Sequence, residues 1–184
     1  LIHAAAGGVG LAAIQIARFS GARTIGITTS PEKAARLKEL GADEVIVNRD
    51  GTFGDDVRKL TGGVGAELVV ETVGGAVFPG PLRSLARGGR YVVIGELYGK
   101  PVEINLALVI LKEWEIYGVE SASRDDLNEI LHFMQRTGLT PAIWKTMPLD
   151  AASVRRTEMR MYSVSVRPRV RRMPSMRPDM KKSA

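Results

Sequence analysis

At 184 residues, with 45% hydrophobic and 25% charged content, the chain has an ordinary globular make-up, long enough for one well-buried domain and short for two. It has no cysteine, which excludes disulfides and cysteine-ligated zinc within the chain, and no apolar run approaches the length of a membrane span. The net charge of +6 is unevenly placed: ten Lys/Arg against Glu158 and Asp179 put +8 on residues 154–184 and leave −2 on residues 1–153.

An apolar run, Leu1 to Ala6, opens the chain and gives way to Gly7-Gly-Val-Gly10 and a helix reaching Arg18. Strand, glycine turn and helix in that order form the context in which a dinucleotide fingerprint has meaning. Against G-x-G-x-x-G the match is Ala5-x-Gly7-x-x-Gly10, with alanine at the first glycine. Without a Cβ at Gly7, backbone amides can approach a pyrophosphate, and Gly10 lets the helix lie against the strand. The free N–H groups and positive dipole end of that helix then face the phosphates. Gly21 ends the helix and Arg23–Thr28 reads as a second strand. Ser30-Pro31-Glu32 starts the next helix with a capping hydroxyl, a proline at the first position and an acid suited to the dipole.

That helix carries Ala34, Leu37 and Leu40 at helical spacing and stops at Gly41. Glu44–Val47 is the third strand, Phe53–Leu60 a helix, Glu67–Thr72 the fourth strand, Val77–Leu85 a helix despite Pro79 and Pro81, and Arg90–Ile94 the fifth strand. Leu106–Lys112 is a short apolar helix after Asn105, Glu115–Gly118 a sixth strand, and Ser123 caps Asp125–Thr137 with Asp126 completing a capping box. Alternating strands and helices predict an α/β fold: a doubly wound, parallel six-stranded sheet of the Rossmann kind in one domain. The apolar third to fifth strands predict burial on both faces. From Ala151 the character changes, with five of the seven methionines and an arginine excess predicting an irregular, disordered basic tail over residues 153–184.

Several stretches recur together in one known family: Ala4–Gly10, Ser30–Lys33, Gly41–Val45, Glu71–Gly75, Gly88–Gly95 and Pro148–Ala152. Over residues 1–152 the chain resembles the cofactor-binding domain of the medium-chain dehydrogenase/reductases, nearer the quinone oxidoreductase and zinc-type alcohol dehydrogenase branches. The resemblance implies a two-domain oxidoreductase in which a GroES-like catalytic domain precedes this one and substrate meets nicotinamide between them. On that reading the chain begins inside the first strand, and any zinc ligands of the parent lie upstream of Leu1, so this chain binds no zinc. The tail departs from the family pattern; a shifted reading frame is one explanation and native sequence the other.

An NAD-selecting fold places Asp or Glu at the end of the second strand. The equivalent here is Thr28, followed by Thr29 and Ser30, with Lys33 one turn into the helix. No carboxylate repels a 2′-phosphate there, and hydroxyls and an ammonium can bind one, which favours NADP(H) over NAD(H). The bland alternative makes Ser30 a helix cap only and Lys33 a solvated lysine, and Asn48 stands where relatives often place tyrosine. By the resemblance, Gly7, Gly8, Val9 and Gly10 hold the pyrophosphate, while Thr72, Val73, Ile94 and Gly95 line the adenosine and nicotinamide portions.

No catalytic residue is assigned. His3 and His132 read as core or surface histidines, Asp55-Asp56 and Asp125-Asp126 as first-turn acids, and Trp114 and Trp144 as packing residues. The function expected is the nucleotide-binding half of an oxidoreductase moving hydride to or from a carbonyl, alcohol, conjugated enone or quinone, inactive alone. A non-catalytic NADPH-binding or assembly module is the alternative. Nucleic acid is disfavoured, because Tyr162 is the tail's one aromatic. The expected partner is a small-molecule substrate in the parent enzyme, with no membrane; a homodimer is admitted as the assembly. Without a signal-peptide n-region the expected location is cytoplasmic.

Overall fold

The computed structural model describes residues 1–143. They form one unit of alternating helices and parallel strands. In chain order these are α1 (Gly8–Phe19), β1 (Ile25–Thr28), α2 (Pro31–Glu39), β2 (Glu44–Val47), α3 (Gly54–Leu60) and β3 (Ala66–Glu71). A 3₁₀ turn (Gly75–Val77), α4 (Pro79–Arg83), β4 (Leu85–Val93), α5 (Leu106–Lys112), β5 (Glu115–Gly118) and α6 (Arg124–Thr137) follow.

Local chemistry sets many of these bounds. The Ser30 hydroxyl accepts the Lys33 N–H at 3.3 Å, with Pro31 at the first helical position of α2. Asn105 caps α5, and Ser123 with Asp126 forms the reciprocal capping box of α6. The fourth helix is shorter than expected, five residues in α4 after the 3₁₀ turn, because Pro79 and Pro81 supply no N–H to a longer helix. β4 is longer, since Leu85 already pairs with Ala66 before the register shifts and Arg90 meets Leu68.

All strand pairs are parallel, in two sets: β1–β2, and β3–β4–β5. The six-stranded expectation is corrected to five strands among the described residues. The opening residues make backbone bonds on both sides, from Ile2 N–H to Ile25 at 2.9 Å and from His3 N–H to Val70 at 3.0 Å. Yet Ala4 turns at φ +50° and Gly7 N–H bonds back to the Ala4 carbonyl, so the run bends before it extends as a strand. Ile2 therefore bridges Gly26 of β1 and Val70 of β3, and the order of strands reverses at that point.

Side chains alternate across the pairs as the pleat requires. Ile25, Ile27 and Val69 face a core with Phe53, Val57, Leu82, Tyr91 and Trp114. Ile2, Ala5 and Ile14 face a second core with Leu37 and Ala42 under α1 and α2. Trp114 is a packing residue whose indole N–H donates to the Ala86 carbonyl at 2.9 Å. Burial on both faces holds for β1 alone; β2 is half-buried, Leu68 on β3 is exposed, and β5 is exposed throughout. Beside Leu68 an apolar groove of about 960 Å³ opens between α1 and the α3–β3 connection. The predicted tail and Trp144 lie outside the described residues. No helix among the described residues is long and apolar enough to cross a membrane.

Candidate functional site

A cleft of about 280 Å³ opens at the carboxyl ends of the strands, where their order reverses. Ligands of open α/β sheets bind at such a position, because loops diverge to either side and leave a crevice. Its first wall is the opening turn: His3, Ala4, Ala6 and Gly7 line it. Gly7 caps α1 with extended backbone and no side-chain acceptor, and no acid occupies the first turn of the helix. Among the described residues the amides of Gly8, Val9 and Gly10 take no acceptor, and Gly8 and Val9 are exposed. A Cβ on Gly8 would meet nothing within 4 Å, whereas one on Gly10 would lie 2.5 Å from the Ala5 carbonyl oxygen. Space is therefore open at Gly8, a Cβ on Gly7 would lie 3.3 Å from the Ala4 carbonyl oxygen, and Gly10 lets the helix touch the turn.

The second wall comes from the ends of β1 and β2. Thr28, Thr29 and Lys33 line it, joined by Asn48, Arg49 and Gly51. Lys33 is exposed and makes no ion pair among the described residues. Arg49 reaches across from the β2 exit, its Nε donating to the Thr29 carbonyl at 2.9 Å. Ser30 does not line the cleft; its hydroxyl caps α2 and donates to Glu32. That hydrogen bond, ahead of the attraction of Arg49, lowers the Glu32 carboxyl below its ordinary range.

The third wall is the β3 exit, where Val73 and Val77 line the cleft with Tyr98. Thr72 stands just behind, its hydroxyl donating to the His3 carbonyl at 3.2 Å. Gly95 packs on Thr72, where a Cβ would lie 3.1 Å from its carbonyl oxygen. Ile94 is not brought to the cleft: it borders the apolar groove with Leu1, Ile16 and Val70. Gly7, Thr28, Thr29, Lys33 and Val73 therefore share one cavity, Gly8, Val9 and Gly10 form its helix terminus, and Ser30, Thr72 and Gly95 support it.

Beneath Val73 lies a buried carboxylate that the sequence reading used only as part of a motif. Glu71 is fully buried, and its Oε1 accepts the Val73 N–H at 2.6 Å and the Gly74 N–H at 3.0 Å. Oε2 accepts the Tyr91 hydroxyl at 2.9 Å, and His3 Nδ1 stands 2.9 Å from both oxygens. Burial alone would raise the Glu71 carboxyl, but the His3 hydrogen bond and charge, with the Gly74 and Val73 amides, bring it below the ordinary value. Burial, then the Glu71 charge, pushes the Tyr91 hydroxyl up. Arg49 and Tyr98 were also missed. Glu71 alone carried a sequence signal, as a charge closing an apolar strand that needs donors if buried.

Metal ligands do not gather here: among the described residues no three His, Asp or Glu side chains lie close enough to hold an ion.

A family model described as "Zinc-binding dehydrogenase" matches residues 8–136. Acryloyl-coenzyme A reductase of Sulfurisphaera tokodaii is 40% identical over 151 residues, covering 82% of this chain and 43% of that protein. Quinone oxidoreductase of Sus scrofa is 31% identical over 159 residues, covering 83% of this chain and 48% of that protein. The solved structure of mycobacterial Rv1454c complexed with NADPH is similar with a TM-score of 0.68 and 29% identity, covering 84% of this chain and 51% of that one. The chain thus spans about half the length of the relatives it matches.

Proposed function

The chain belongs to the zinc-binding dehydrogenases, oxidoreductases of the medium-chain dehydrogenase/reductase superfamily, and from that premise we propose that it is the nucleotide-binding half of an NADP(H)-dependent reductase. The carrying observation is the cleft's second wall: hydroxyl-bearing Thr28 and Thr29 stand with Lys33 and Arg49 where an NAD-selecting fold places a carboxylate. Gly7 and the free amides of Gly8, Val9 and Gly10 hold the diphosphate, with Gly8 leaving the space a phosphate needs. Lys33 and Arg49 meet the 2′-phosphate through charge-assisted hydrogen bonds, and Val73 and Gly95 shape the β3 end. The bound dinucleotide supplies hydride chemistry at its nicotinamide ring.

The relatives named acryloyl-coenzyme A reductase and quinone oxidoreductase support a conjugated carbonyl or quinone as the parent's substrate, and the NADPH complex supports the phosphorylated cofactor. Turnover then needs surfaces beyond those of the described residues. Zinc does not fit the described residues, which gather no ligand set, and the chain has no cysteine. We take the dinucleotide domain as residues 1–152, with Leu1–Ala5 filling the central strand position between β1 and β3.

Fluorescence titration with NADPH and NADH tests the reading. NADPH binds more tightly, and Lys33→Ala or Arg49→Ala each weakens NADPH by about tenfold, the worth of one hydrogen bond to a charged group, while leaving NADH unchanged. Equal affinities for the two cofactors would remove the NADP(H) preference. Absence of NADPH binding at roughly millimolar concentration would remove the cofactor reading.

A further inference from the structure

The phosphate turn and the Lys33–Arg49 wall leave the His3 ring of the cleft unused. The His3 ring lines the cavity although its side chain is only 10% exposed. Its Nδ1 lies 2.9 Å from both oxygens of Glu71, which also accept the Val73 and Gly74 amides and the Tyr91 hydroxyl. An ionised carboxylate can only accept, so Nδ1 carries the proton. Nε2 has no partner among the described residues, yet no buried side-chain nitrogen or oxygen there is left unpaired, so Nε2 is the accessible atom of a mostly buried ring. Rotating the ring would break the Glu71 contact, and Phe53 packs against it with centroids 5.5 Å apart.

We propose that His3 is a cofactor-contacting residue whose Nε2 hydrogen-bonds a ribose hydroxyl of the bound dinucleotide, with Glu71 as the positioning residue that fixes the ring. This rests on the cofactor reading above. The opening residues lie between β1 and β3, hence between the adenosine wall and the Val73 wall, where the sugars flank the diphosphate. A hydroxyl suits Nε2 in either protonation state, accepting from an imidazolium N–H or donating to a neutral ring's lone pair; a phosphate oxygen can only accept.

The chain has two histidines, and His132 sits exposed on α6, so long-range ¹H–¹⁵N spectra of the full chain resolve His3 against an internal reference. With NADPH as the probe, His3 Nδ1 is protonated throughout, and its Nε2 resonance moves on saturation while His132 stays put. An unmoved Nε2 at saturation, with saturation read independently from NADPH fluorescence, overturns the proposal and leaves the cofactor reading standing. Loss of the fluorescence response itself overturns both. His3→Gln keeps a donor for Glu71 but lacks the second ring nitrogen, and NADPH affinity falls about two- to tenfold; an unchanged affinity in a variant with parental circular dichroism also overturns it.

Discussion

Replacing Gly10 by alanine tests whether the fingerprint serves packing as well as binding. The added Cβ would lie 2.5 Å from the Ala5 carbonyl oxygen and 2.6 Å from its carbon and Cα. All three are backbone atoms, so no side-chain rotation relieves the contact. The helix or the turn must move by about 0.5 Å before the closest pair reaches 3.0 Å. Neither moves freely: Ile14 on α1 is fully buried beside Leu37, and Ala5 N–H is bonded to Ile27 at 2.9 Å. Overpacking costs about 1–3 kcal/mol where a core can adjust; here the upper end applies, about 3 kcal/mol. For a domain of this size that lowers the melting temperature by roughly 10 °C. Gly8→Ala is the control. Its Cβ meets nothing, so stability is kept or rises by up to about 1 kcal/mol, while NADPH affinity falls because the methyl enters the space before the amides. Thermal and urea unfolding followed with NADPH titration separate the two. A Gly10→Ala protein within about 0.5 kcal/mol of the parent, the range of an innocuous surface change, would refute the packing argument.

Two further changes probe the residues that support the cleft. Glu71 is held below its ordinary value of 4.5 in the folded state, so the unfolded chain binds more protons as pH falls. The stability from this carboxylate is present above the ordinary value and is lost as pH drops through the depressed native one. Glu71→Gln therefore flattens the acid limb of unfolding free energy against pH, and parallel acid limbs would contradict the assignment. Ser30→Ala removes the acceptor of the Lys33 N–H and costs about 1 kcal/mol in urea unfolding; an unshifted midpoint would mean that the cap is idle.

What was legible in the sequence is what neighbouring residues decide among themselves. Ser30, Asn105 and Ser123 reach amides two or three positions away, so their helix starts follow from local chemistry. Thr28 and Lys33 lie within one strand exit and one helical turn, and the structure keeps them on one wall. What was not legible depends on partners far along the chain. The extension of β4 back to Leu85 exists because Ala66 is there to pair with it. Arg49 joins the site through a carbonyl 20 positions away, and His3 meets Glu71 at a separation of 68. The half-burial of β2 and the exposure of Leu68 on β3 contradict the expectation of fully covered strands, since apolar content alone does not say which faces the neighbouring elements cover.

The opening residues bear more weight than their length suggests. Two sets of strands that are not paired to one another are joined through Leu1–Ala5, whose amides and carbonyls bond β1 on one side and β3 on the other. His3 anchors Glu71, Thr72 anchors to the His3 carbonyl, and Gly7 starts the helix that would face a diphosphate. A ligand gripping the Gly7–Gly10 amides and the Thr28–Lys33 wall at once therefore spans the join, and its binding energy adds directly to the stability of the folded arrangement. The same geometry makes the join the place where damage to the fold becomes damage to binding. A shift of α1 moves the amides, and a shift of β3 moves Val73, so affinity and stability fall together for changes at the join and separate only for residues such as Gly8 that touch nothing but the open space.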